Sequence, residues 1–562
     1  MRRNSLLILA ATVLLLAACG NKGGKSGLLV PKDAAIVVHI NSASLSSKLS
    51  WEEIRQTNWF KEINKEADDT LARQLLADPG NSGIDTKADL VFFMKKQGKG
   101  GYLVFEGSLK DAAAFEKMLK ELKKESGPAE TKKDGDFSYM TSDDGVVLWS
   151  SSKFAYIANA PMPDTKSFFE GYNSRDSKEH AFLNDSLRLF GQQALTLKSG
   201  DNLDTDSRFA DLVKDGSDLH LWMNAEGYYG NMMGGMMSMM KLGVLFKDNV
   251  SAASMNFDNG KITARSKTYY GEEMSKLLAE YKPQPVSAEL INRIPSSNVA
   301  AVMAFNYPPK GLQAFLKTIG VDGMANGFLA EMNYSIEDFV KANKGDILVA
   351  VSDLSMVAKQ DTIDYGGGMK PYVYTSTKPD MKVLFATSVN DKAAFEKLVT
   401  LAWEATKGMK DKDIPEISYK LENNWFVAGN SAEQIANFIN GGNSNLPFVN
   451  KISGKPFGFY LDLNKIINMA AATFNNSDSS GKEALDLSLK MWKDVVATGG
   501  DYKDKALISD FEINLGDPNT NSLKQLNQYF DKLASLKNER RKKFAEEYGP
   551  ATDAPAEVAP AN

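Results

Sequence analysis

One stretch of this chain occurs twice. Residues 101–119 read GYLVFEGSLKDAAAFEKML, and 280 positions later residues 381–399 read MKVLFATSVNDKAAFEKLV. Asp111, Ala113, Ala114, Phe115, Glu116 and Lys117 are matched by Asp391, Ala393, Ala394, Phe395, Glu396 and Lys397. Each copy reads as a strand, a short loop and an amphipathic helix. At 562 residues the chain also exceeds what one hydrophobic core serves. Two related halves are therefore expected.

Other segments extend the correspondence. Val30-Pro31-Lys32-Asp33 leads into the apolar run Ala34 to Ile40, and Ile294-Pro295-Ser296-Ser297 leads likewise into Val299 to Phe305. Leu90 to Met94 and Tyr102 to Phe105 predict a strand pair, with Ile347 to Val351 and Val383 to Phe385 in the same places of the second half. There a Gly-rich insertion with Gly366, Gly367 and Gly368 separates them. Phe137-Ser138-Tyr139 matches Ile417-Ser418-Tyr419 at the same offset, whereas Phe154 to Asn159 matches Trp425 to Asn430 at 271, as if the first half held an extra hairpin near Asp143-Asp144-Gly145. Many strands with hairpin-length turns and single helices between them predict the α+β class: two tandem related halves, each a mostly antiparallel sheet with helices on one face. The expected boundaries are 30–282 and 294–537, with a linker at 283–293 around Pro283-Gln284-Pro285. A charged helix near 521–548 and a Pro- and Ala-rich tail close the chain, residues 538–562 forming the helix end and a tail expected to be disordered.

The first 29 residues speak about location. Arg2 and Arg3 precede an apolar run of 12 residues, Leu6 to Ala17. A permanent span needs about 20 such residues, so residues 1–18 read as an export signal. Leu16-Ala17-Ala18-Cys19 resembles the bacterial lipobox, at which the cysteine is acylated and the chain cleaved before it, and Cys19 is the one cysteine present. Lipidation is expected at Cys19, with residues 19–29 as a flexible tether. The expected place is the cell envelope of a Gram-negative bacterium, lipid-anchored at the outer membrane. Gly24-Lys25-Ser26 is not a phosphate loop, because that motif needs glycine where Cys19 stands.

Composition excludes one class. A net charge of −5 gives no basic field for nucleic acid. The opening VPKDAAIVVHIN, the segment LLADPGNSGID at 75–85 with the VFF that follows, and the lipobox resemble the bacterial lipoprotein family built on the domain of unknown function 4836. The likeness runs through nearly all of the chain after Cys19. It implies a lipoprotein without an assigned activity and carries over no catalytic residue.

Chemistry is sparse. His39, His180 and His220 are far apart and lack metal-ligand spacing; His39 and His220 fall in predicted strands, which could bring two together. No nucleophile elbow is present and no cofactor is expected. Asn476, Asp478, Ser480 and Gly481 begin like a calcium loop, but the closing glutamate is replaced by Leu487, so no metal is expected. Six methionines between 232 and 240, among them Met232, Met233, Met236, Met237 and Met240, fall within about 160° of a helix. They suit a core stripe, a pliable groove or a Cu(I) site. The second half places Ile466, Ile467, Ala470, Ala471 and Phe474 at the positions of Tyr228, Tyr229, Met232, Met233 and Met236, so packing is the shared requirement.

The expected function is a non-enzymatic binding or scaffold module. It would take an apolar or peptide-like ligand, or an envelope protein, in the cleft between halves, with the five methionines as candidate contacts. The alternative is an envelope hydrolase whose carboxylates and histidines meet only in three dimensions. A spacer without a sizeable pocket is a third.

Overall fold

The structure, a computed structural model, describes residues 29–66, 78–124, 130–142, 145–162, 181–230, 241–363, 372–406, 417–442, 444–473 and 479–548. Cys19, His180, the glycines at 366–368, Asn476, Asp478 and the methionines from 232 to 240 lie outside the described residues.

The strands of the first part are β1 (Ala34–Ile40), β2 (Leu90–Gln97), β3 (Gly100–Ser108), β4 (Lys132–Asp134), β5 (Phe137–Thr141), β6 (Gly145–Trp149), β7 (Lys153–Ala160), β8 (Leu219–Asn224), β9 (Val250–Asp258) and β10 (Lys261–Tyr269). Those of the second part are β11 (Val299–Asn306), β12 (Asn343–Ile363), β13 (Tyr372–Val389), β14 (Ser418–Glu422), β15 (Trp425–Gly429), β16 (Phe457–Asp462), β17 (Trp492–Lys503) and β18 (Ala506–Leu515). All 18 join one antiparallel sheet, and with the helices between them the fold is α+β.

The ladders put β10 and β18 side by side at the centre. Outward from β10 the order is β9, β8, β1, β2, β3, β7. Outward from β18 it is β17, β16, β11, β12, β13, β15. The two arms thus run in the same chain order, and they meet through the last strand of each. The β10–β18 ladder runs from Lys261 opposite Asn514 to Tyr269 opposite Ala506, with Arg265 opposite Asp510 at its midpoint. Beyond β7 the first arm adds β6, β5 and β4, whereas β14 alone follows β15 in the second.

Local chemistry accounts for the elements. Asp111 accepts hydrogen bonds from the Ala113 and Ala114 amides, and Asp391 accepts one from Ala394, so the matched aspartates satisfy the open N–H groups where the two repeated helices begin. Phe115 and Phe395, four residues on, are the buried anchors of these helices. The repeated motif is a cap followed by an anchor. Asn423-Asn424 and Asp504-Lys505 join β14 to β15 and β17 to β18 in two-residue turns, with all four residues at positive φ. Such primed turns match the twist of the strands they connect.

Helices cover both faces of the sheet, a correction to the expected single face. Val37, Phe93, Val104 and Ile157 pack on one side with Leu187 and Ala194 of the Asn184–Leu195 helix. Ile40, Leu90 and Phe154 pack on the other with Phe115 and Met118. β2 carries the reason: Leu90-Val91-Phe92-Phe93 is apolar at consecutive positions, as a strand covered on both sides requires. Full burial of one such side chain contributes about 2–3 kcal/mol. The second arm repeats this, with Phe438 and Ile439 on one face and Phe395 on the other.

The last helix, Ser522–Tyr548, returns from the second arm to the first. Lys524 Nζ lies 2.7 Å from Glu53 Oε1, and Trp59 Nε1 donates to Asn527 Oδ1 at 3.1 Å. Among the described helices none is long and apolar enough to cross a membrane.

Candidate functional site

A single row of cross-strand neighbours passes through the centre of the sheet on one face. From the midpoint into the first arm it reads Arg265, Ser254, His220, His39, Val91, Glu106. Into the second arm it reads Asp510, Thr498, Gly458, Ala304, Leu348, Ala386. The backbone pairings correspond step for step, but the side chains do not. The first arm carries His220, His39 and Glu106 where the second carries Gly458, Ala304 and Ala386, while Ser254 matches Thr498 and Val91 matches Leu348.

The two histidines that sequence separates by 181 positions are direct partners, with Nδ1 atoms 2.8 Å apart and both side chains buried. His220 Nε2 lies 2.7 Å from Asp215 Oδ1. His39 Nε2 lies 3.1 Å from Asp89 Oδ2 but is not aligned as a hydrogen bond. Three contacts therefore link Asp89, His39, His220 and Asp215, and each needs one proton. Two neutral imidazoles carry two. The tautomer of His220 with its proton on Nε2 would donate to Asp215 and leave Nδ1 to accept from His39 Nδ1, and the Asp89 contact would then have no proton. Burial lowers the His220 pKa and outweighs the raising effect of Asp215. Burial pushes the Asp215 carboxyl up, yet hydrogen bonds from His220 and Ser217 together hold it below the usual aspartate range.

Glu106 extends the polar row outward. It is buried in β3, accepts the Leu29 amide at 3.1 Å, and its other carboxyl oxygen has no hydrogen-bond partner among the described residues. Burial pushes its pKa up to about 8, against the lowering effects of the Leu29 amide and Lys153. In the second arm Gly458 admits close packing instead: a Cβ there would lie 2.1 Å from the Ile452 carbonyl oxygen.

Where the arms meet, the row is open to solvent. A cavity of about 560 Å³ is lined by Asp215, Ser217, Asn256, Arg265, Asp510 and Glu512 among others. A second of about 500 Å³ adjoins it, sharing Arg265, Thr498 and Asp510, and includes Lys267, Lys282 and Lys503. Arg265 and Asp510 form a two-point ion pair across the boundary, with Nε to Oδ1 at 2.6 Å and Nη2 to Oδ2 at 3.2 Å. Gly500, at φ +91° where β17 skips a residue against β18, forms part of the wall. The cleft is polar and charged, where the sequence led us to expect apolar contacts.

His39 and His220 were legible as candidates, and the structure joins them. Asp89, Asp215, Arg265 and Asp510 were missed because nothing in their spacing links them. Glu106 left one signal, a carboxylate inside the apolar run Tyr102 to Phe105 and Gly107. Among the described residues no group of three or more His, Cys, Asp or Glu side chains could hold a metal ion.

An α+β protein with a charged cleft at the centre of one antiparallel sheet is the class this geometry defines. Its family model is described as a domain of unknown function, DUF4836, and matches residues 28–365, so the chain belongs to that family. The match covers the first arm with β11 and β12, a shorter stretch than the resemblance suggested. No curated protein matches. Among solved structures, crystal form I of TP0453 is similar over 44% of this chain and 81% of that chain, at 10% identity and a TM-score of 0.22. Crystal form III is similar over 46% and 86%, at 9% identity and the same TM-score. Likeness at that level carries no argument about fold or function.

Proposed function

We propose that this chain is a lipid-anchored protein of the Gram-negative cell envelope, tethered through Cys19, whose two arms descend from one duplicated unit. It acts as a non-enzymatic binding module that holds a polar, charge-bearing or peptide-like ligand in the central cleft. One observation carries this reading: the two cavities meet over the Arg265–Asp510 pair, between two arms whose other inward surfaces are packed cores. The repeated strand order and the matched capping motif support the duplication.

Thr498→Trp fills the shared wall and tests the site. Mass spectrometry of small molecules that co-purify with the full chain should find a ligand lost from this variant; a ligand retained by it would place binding elsewhere. Cys19→Ser should move the protein from the membrane pellet to the soluble envelope fraction, and continued pelleting would count against the anchor.

A second reading, an envelope hydrolase, rests on Asp215. It lines the cleft with His220 behind it, the arrangement of a general base whose carboxylate is oriented from within. Hydrolysis of envelope esters or glycosides by the full chain, abolished by Asp215→Asn, would favour this reading over binding alone.

A further inference from the structure

We infer that one end of the cleft is a site for a small molecule bearing two or more negative charges on phosphate or carboxylate groups, an assignment that rests on the cleft being the ligand site. Five cations stand around the 500 Å³ cavity: Arg265, Lys267, Lys282, Lys455 and Lys503. Two are neutralised in place, Arg265 by Asp510 and Lys455 by Asp501 at 2.5 Å. Lys267, Lys282 and Lys503 have no ion-pair partner among the described residues. The cavity therefore carries an excess of three positive charges in a chain whose net charge is −5.

Solvated lysines are common on any surface, and each of these is exposed. What sets them apart is convergence. Lys267 comes from β10, Lys503 from the end of β17 and Lys282 from the segment joining the arms, so three separate elements aim one charge sign at one concavity. Clustered like charges repel, and a concave wall strengthens the field between them. A bound anion turns that repulsion into attraction. The adjoining cavity has no such excess, since Asp510 is paired with Arg265 and Glu512 with Lys261 at 3.0 Å, which leaves Asp215 as the acid without a Lys or Arg partner among the described residues. A ligand lying across both would be oriented with its anionic groups toward the lysines.

Isothermal titration calorimetry of the full chain in nonionic detergent, with inorganic pyrophosphate and separately with citrate, tests this. Saturable binding of at least one anion is expected, weakening as NaCl is raised. Lys267→Gln/Lys282→Gln/Lys503→Gln should lower the affinity at least tenfold, and Lys392→Gln, at a lysine that lines neither cavity, should not. Lys282→Glu alone, in a segment outside helix and strand, gives the same direction if the triple variant fails to fold. The assignment is overturned if neither anion saturates by about 10 mM, where binding is too weak for a recognition site, or if the triple variant binds as well as the parent. Loss of a neutral or cationic co-purifying ligand in Thr498→Trp, with no anion bound, would overturn this assignment alone. Retention of the ligand in Thr498→Trp would overturn the cleft reading itself.

Discussion

The two arms hold the same strand order in the same register and use one position in opposite ways. Where β1 meets β8 the first arm buries an imidazole pair flanked by aspartates, and where β11 meets β16 the second buries Ala304 against Gly458. Two steps further out, Glu106 stands opposite Ala155 and Ala386 opposite Val427. Backbone pairing sets where side chains can meet, and the difference teaches that it does not set what they do. The second arm closes its row with close packing. The first keeps a hydrogen-bonded chain that ends at the cleft, through Asp215.

The largest effect should come from breaking that chain. His220→Ala leaves Asp215 and His39 without their partner and opens a cavity, so unfolding in urea should show a loss of about 3 kcal/mol. In a cycle with His39→Ala the double variant should lose less than the two singles combined, because the side chains act as a unit. Strict additivity would mean that the 2.8 Å contact contributes nothing.

The corresponding test in the second arm is Gly458→Ala. The added methyl meets a backbone carbonyl that cannot rotate away, and a loss of about 2 kcal/mol is expected by the same measurement. This loss should be independent of pH, since no titratable group is involved. An unchanged midpoint would show that the packing around Gly458 yields to an added methyl.

Glu106 gives the arms different pH responses. Its carboxyl ionises near 4.5 when unfolded and near 8 when folded, so the folded state holds an extra proton between those values. Stability from this group is full below about pH 4.5, falls as pH rises and levels off above about 8. Glu106→Gln should remove the slope and raise the thermal midpoint at pH 8, and a slope that persists would place its origin elsewhere. For His220, whose folded pKa is lowered, the sign is reversed. The unfolded chain binds more protons just below the ordinary histidine value of 6.5, so stability falls as pH drops through it. Ring ¹⁵N resonances should report His220 still neutral at a pH where a free histidine is charged.

The smallest effect concerns the helix that ties the arms together. The Lys524 ammonium, with hydrogen bonds from Ser50, holds Glu53 down to about 2. The stabilisation is present above the unfolded value of 4.5 and is lost as pH falls toward 2. Both side chains are well exposed, so Glu53→Gln should cost a few tenths of a kcal/mol and less in high salt.

Much of the framework could be read from residues. Continuous apolar runs marked β1, β2 and β3, and the doubled motif with its amphipathic pattern marked the two repeated helices, whose cap (Asp111, Asp391) and anchor (Phe115, Phe395) are local signals. Helices on both faces were missed, since apolar residues at successive strand positions also suit other environments. The methionine helix, read as a candidate surface, lies outside the described residues. The site was legible only as two isolated histidines.

The sequence by itself determined what depends on neighbours along the chain: the strands, the capped helices, the doubled motif and the absence of a basic field. Tertiary structure alone decided that His39 should face His220, that Arg265 should face Asp510, and that three lysines from three elements should surround one cavity. The physical reason is that a β-ladder joins residues 181 or 245 positions apart through backbone hydrogen bonds, which leave no mark in local spacing.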